Sequence, residues 1–75
     1  MKFIEMTGKA LTGVVDARGG DAVDLHGAGI EDDTIVRVNQ QGDVEVRRTD
    51  RWDVVGGLIG NFEDRIKHHT GLDWA

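Results

Sequence analysis

Two runs of alternating apolar and polar side chains, at 34–38 and 43–47, restrict this 75-residue chain to folds that contain a β-hairpin. Both runs are rich in valine, and the polar connection between them ends in Gly42, which can adopt a positive φ. Because successive strand side chains point to opposite sides, the valines share one face. Glu45 then points outward with Arg37 nearby, so the pattern predicts a hairpin with one apolar and one charged face.

The sequence after residue 52 predicts a C-terminal helix at about 53–69. At about 100° per residue its apolar side chains fall on one stripe, which we expect to pack on the hairpin. Gly71 can adopt the left-handed conformation that ends a helix. Trp74 is too large an apolar group to leave in water, so we expect it to pack back on the domain. The apolar stripe consists of Trp52, Val55, Ile59, Phe62 and Ile66.

The N-terminal third adds one further strand to the prediction, at 2–6. Thr7 can cap a short helix that starts at Gly8. Residues 22–25 fit either a helical turn or a strand. Together these elements predict a single small α+β domain, 1–75, in which a small antiparallel sheet packs against the C-terminal helix.

Nine lysine and arginine residues stand against fourteen aspartate and glutamate residues, a formal net charge of −5. Residues 1–36 hold three of the basic and seven of the acidic side chains, so the second half is nearly neutral and locally rich in arginine. This balance disfavours nucleic acid and anionic membranes as general partners.

The chain contains no cysteine, which excludes disulfides and favours a cytoplasmic protein. Charged side chains interrupt the apolar stretch at the N-terminus, so no membrane span or signal peptide is predicted there. Serine and tyrosine are absent as well. Few side chains are therefore left to form a nucleophile and base pair, and we expect a non-enzymatic protein without a cofactor.

The arginines near the hairpin form the first candidate binding site. They could gather where the hairpin meets the helix and create a basic patch on an acidic protein. Such a patch could receive an acidic partner protein or the acidic first half of a second copy, and simple solvation is the alternative. The candidate residues are Arg37, Arg47, Arg48 and Arg51.

Three glycines of the predicted helix form the second candidate site. Each costs about 1 kcal/mol relative to alanine in a helix, which natural sequences tolerate where a backbone approaches a neighbour closely. That neighbour could be a strand, the N-terminal segment or a second helix across a homodimer axis. The alternative is that the helix begins near Leu58. The candidate interface residues are Gly56, Gly57, Gly60 and Trp74.

These features predict a protein-interaction or accessory module, and two alternatives use other residues. Asp64 and His68 lie one helical turn apart and could meet a metal ion, but the sequence fixes no third ligand, and we predict no metal site. Residues 25–48, from Leu-His-Gly-Ala-Gly-Ile through both hairpin strands, resemble the second half of an AbrB-type swapped-hairpin domain. That resemblance implies a dimeric DNA-binding regulator, although the proline-led helix of that family is not matched in this proline-free chain.

Overall fold

The computed structural model describes residues 2–16 and 18–74; residues 1, 17 and 75 of the predicted domain lie outside the described part. The chain forms a five-stranded antiparallel sheet and two helices, which confirms the predicted α+β class. The strand order in the sheet is β1-β3-β4-β5-β2. The elements are β1 (Phe3–Thr7), α1 (Gly8–Val14), β2 (Ala22–Val23), β3 (Ile35–Asn39), β4 (Asp43–Arg47), β5 (Trp52–Gly57) and α2 (Phe62–Thr70).

The predicted hairpin is confirmed as strands β3 and β4. Val36 pairs with Val46 and Val38 with Val44, and all four side chains are buried. The predicted N-terminal strand is also confirmed, since β1 pairs antiparallel with β3. Ile4 and Met6 of β1 join the valines in the core. The apolar alternation therefore places every one of these side chains on the same side of the sheet.

The predicted helix at 53–69 is wrong in its first half. Residues 52–57 form strand β5, which pairs with β4, and the helix begins only at Phe62. A run of tryptophan and valines suits a strand, whereas two consecutive glycines suit a helix poorly. Gly60 then has φ +66, a conformation that no right-handed helix contains. A continuous helix through these residues is thereby excluded.

Both helices pack on one side of the sheet. Thr7 caps α1 by accepting a hydrogen bond from the N–H of Ala10, and α1 buries Leu11 and Val14. Helix α2 buries Phe62 and Ile66 in the same cluster. Two further predictions for this region are confirmed. Helix α2 ends at Gly71, which has φ +72, and Trp74 packs back against the core.

A buried ion pair joins α2 to the first half of the chain. The side chain of Asp21 is inaccessible to solvent and accepts hydrogen bonds from Arg65 at 2.7 and 3.2 Å. The backbone N–H groups of Asp16 and Ile59 donate to the same carboxylate at 2.8 Å each. Arg65 also donates to the carbonyl oxygen of Val14. One carboxylate therefore fixes the chain after α1, the entry to β2 and the turn before α2.

The stability of the protein should depend on pH through Asp21. Burial alone raises the pKa of Asp21, but hydrogen bonds from Arg65 and from two backbone N–H groups lower it to a value below the ordinary one. A carboxyl with a lowered pKa in the folded state stabilises the fold above its unfolded pKa, about 3.9, and this contribution is lost as the pH falls through the folded pKa. Denaturant unfolding of wild type and Asp21→Asn should show a stability difference at pH 7 that shrinks below about pH 4. A difference that stays constant down to the acid transition would contradict this assignment.

Candidate functional site

The side of the sheet opposite the helices carries the candidate site. The pairing of Arg37 with Glu45, and of Arg47 with Trp52, places these side chains opposite the buried valines. Ile35 and Val54 are exposed apolar side chains, with relative accessibilities of 38% and 61%. We call this surface the helix-free face and define it by Phe3, Ile35, Arg37, Arg47, Trp52 and Val54.

Arg37 is held at the centre of the helix-free face. Its guanidinium carbon lies 3.8 Å from the ring centroid of Phe3 and 4.2 Å from that of Trp52. The same guanidinium donates to one carboxylate oxygen of Glu45 at 2.8 and 3.1 Å. Cation–π contacts on two sides and a partly buried ion pair restrict the rotamers of all four side chains. The centre of the face is therefore rigid and amphipathic.

A shallow pocket lies at the end of the face where β4 turns into β5. It has a volume of about 240 Å³ and is lined by residues 47–52, which include three arginines, one aspartate and the indole of Trp52. The loop 48–51 is closed by a hydrogen bond from the N–H of Arg48 to the carbonyl oxygen of Arg51 at 2.7 Å. Three of the four arginines predicted to form a basic patch thus line one pocket.

The three pocket arginines differ in their partners. Arg48 is fixed by Asp53 at 3.2 Å and by the carbonyl oxygen of Ala28 at 3.3 Å. Arg51 makes only an exposed contact of 3.5 Å with Asp50. Arg47 is exposed and forms no ion pair within the described residues. Because Asp53 pairs with the buried Val46, the guanidinium of Arg48 is held on the helix side, and Arg47 and Arg51 are the pocket arginines that are accessible to an incoming anion.

The predicted glycine surface does not exist as a helical face. Gly56 and Gly57 belong to β5, where they pair with β2, and Gly60 lies in the turn before α2. Trp74 packs on the core of its own chain, and its indole N–H points to Glu63 at 3.4 Å. These four residues are not brought together, because the sequence pattern that joined them assumed a helix at 53–69.

Asp64 and His68, the alternative metal ligands, are both exposed on α2. The described residues contain no group of three histidine, cysteine, aspartate or glutamate side chains arranged to hold a metal ion. Neither helix of the described chain has the length and apolar character needed to cross a membrane.

Sequence reasoning missed Phe3 and Trp52 as site residues. Trp52 was assigned to a buried helical stripe, and Phe3 was assigned only to a strand. The signal that could have found Phe3 is its alternation with the core residue Ile4 along β1. Phe3 and Trp52 meet across Arg37 because β3 and β4 are the two strands between β1 and β5 in the sheet.

The helix-free face and its pocket cannot be compared with a known site. A comparison with known proteins finds no matching family model, no matching curated protein and no matching solved structure.

Proposed function

We propose that the protein is a non-enzymatic interaction module that binds a partner protein through the helix-free face. The observation that carries this proposal is the Phe3–Arg37–Trp52 stack, flanked by the exposed side chains of Ile35 and Val54. Tryptophan, phenylalanine and arginine are enriched in protein interfaces, and rigid aromatic and arginine side chains dominate binding energy there. A face with its central side chains already ordered loses little conformational entropy on binding.

The charged groups of the chain support a binding role over catalysis. Asp21 is the most deeply buried carboxylate, and Arg65 and two backbone N–H groups fully occupy it. Glu45 is engaged by Arg37 through one of its two carboxylate oxygens. A general acid or base must exchange a proton with a substrate, and the ion pairs of these two carboxylates compete with such an exchange.

The proposal is tested by changing only the exposed apolar groups of the face. Ile35→Thr/Val54→Thr keeps β-branched side chains, and thus strand propensity, while it removes apolar contact area. The double variant should fail to capture a protein that wild type captures from cells that produce this chain. The purified partner should bind the variant at least about tenfold more weakly, as expected for the loss of roughly 1.4 kcal/mol.

The matched control is Leu72→Thr, which changes an exposed apolar residue in the tail after α2. This variant should bind the purified partner with wild-type affinity. Equal binding by wild type, the face variant and the control would refute the proposal. All three proteins should show the same thermal unfolding, which separates loss of contact from loss of fold.

A dimeric DNA-binding regulator that uses Arg37, Arg47, Arg48 and Arg51 is the second candidate function. The gathering of three of these arginines beside Trp52 supports it, because guanidinium groups contact phosphates and an indole can stack on a base. The ion pairs of Arg37 and Arg48 within the chain and the net charge of −5 weigh against it. Its signature is DNA binding that weakens steeply as salt rises.

A further inference from the structure

The arginine pocket and the helix-free face together specify what kind of partner would fit. Three arginines and one aspartate line the pocket, so it carries an excess of positive charge on a chain whose net charge is −5. Small-molecule sites usually enclose about 300–1,000 Å³. The pocket holds about 240 Å³. It is therefore sized for one anionic side chain rather than for a whole cofactor.

The dimensions of the face limit the occupant further. Four long strands of five or six residues each form it. At about 4.8 Å between strands and 3.4 Å per residue, the surface measures roughly 19 by 17 Å, or about 320 Å². A stable pair of globular proteins needs about 800 Å² on each partner. An extended segment of about five or six residues matches the face better than a second folded copy does.

Charge distribution distinguishes a polypeptide from a nucleic acid. Duplex DNA carries one negative charge per roughly 1.7 Å along its axis. A polyanion laid across the face would meet the exposed Glu5 as well as Asp43, which lie on the same side of their strands as Arg37. A peptide can place a single carboxylate at the pocket and apolar side chains on Val54 and Ile35. Only the peptide avoids the acidic part of the surface.

We propose that the helix-free face binds an extended acidic segment of a partner protein, with a carboxylate seated between Arg47 and Arg51. This inference rests on the proposed function and adds the chemistry of the partner. Asp53 and the carbonyl oxygen of Ala28 hold Arg48 on the helix side, and the exposed Arg47 and Arg51 close on the carboxylate. Apolar side chains of the segment contact Trp52 and Val54.

The test is a selection from a phage-displayed library of random peptides about ten residues long, enough to cross the face. Wild type should enrich peptides with aspartate or glutamate next to apolar residues. These peptides should bind Arg47→Ala/Arg51→Ala about tenfold more weakly, as expected for the loss of two exposed ion pairs. Lys9→Ala/Arg18→Ala removes the same charge elsewhere and should leave the affinity unchanged.

The outcomes separate this inference from the proposed function. Suppose that the selected peptides show no acidic bias, bind Arg47→Ala/Arg51→Ala with unchanged affinity and bind Ile35→Thr/Val54→Thr more weakly. That result would overturn the acidic segment and leave the face as a binding site. No enrichment, or enriched peptides that are insensitive to both double variants, would overturn both proposals. Displacement of the peptides by a DNA duplex at low salt, or self-association of wild type that the arginine variant abolishes, would also overturn the acidic segment.

Discussion

Replacing Asp21 by alanine should lower the free energy of unfolding by about 3–5 kcal/mol, as is typical when one partner of a buried ion pair is removed. The variant leaves the Arg65 guanidinium without its carboxylate and the N–H groups of Asp16 and Ile59 without an acceptor. Each such unsatisfied buried group costs about 1–3 kcal/mol. A domain of 75 residues has a total stability of only about 4–8 kcal/mol, so the variant should be close to unfolding at room temperature.

Urea denaturation of Asp21→Ala and Asp21→Asn measures this effect. The asparagine keeps one oxygen that can accept from the N–H of Ile59, and we expect it to lose less stability than the alanine. Asp16→Ala is the control, because it removes an exposed carboxylate that accepts a hydrogen bond from the N–H of Gly19 in the adjacent turn and leaves the Asp21–Arg65 pair in place. If Asp21→Ala lowers the free energy of unfolding by less than about 1 kcal/mol, the Asp21–Arg65 pair stabilises the fold no more than an exposed ion pair does, and its proposed role is refuted.

The Asp21–Arg65 pair shows which part of this fold the sequence could not predict. The two residues are separated by 44 positions, and neither lies in a local pattern that distinguishes it from other charged residues. The hairpin 34–47 was predictable because its information is local: alternation of side chains and a glycine at the turn. Thr7 as the cap of α1 and Gly71 as the end of α2 were predictable for the same reason.

The failure at 53–69 has a different physical origin. Residues 52, 55, 59, 62 and 66 fit a helical stripe in spacing alone, yet Ile59 is 52% exposed and Trp52 lies on the opposite side of the sheet from Ile66. A short apolar run fits both the helical and the strand periodicity, and here the pairing of β5 with β4 makes the run a strand. Arg47, Arg48 and Arg51 lie close together because they are near one another in sequence, at the turn between β4 and β5 and not at the predicted junction of hairpin and helix, and Arg37 lies outside their pocket. The combination of Arg37 with Phe3 and Trp52 depends on strand order, which no local pattern contains.

Adding one methyl group to Gly56 should destabilise the sheet, whereas the same change at Gly57 should not. A Cβ atom at Gly56 would collide with the carbonyl oxygen of Ala22 and would lie 3.1 Å from the Cα of Val23. Both are backbone atoms of β2, which can yield only if β2 moves away from β5. We expect Gly56→Ala to cost about 1–3 kcal/mol, the range for an overpacked site.

Gly57→Ala is the matched control, because the nearest atom to its Cβ is 3.9 Å away, an ordinary contact. Alanine there restricts the unfolded chain and should stabilise the protein by about 0.4–1 kcal/mol. Amide hydrogen exchange locates the effect: β2 and its partner residues in β5 should lose protection in Gly56→Ala, while β3 and β4 keep theirs. Equal stability of the two variants would mean that β2 does not pack on Gly56. A short edge strand is expected to open locally. Loss of protection throughout the sheet would instead mean that this edge is needed for the whole fold.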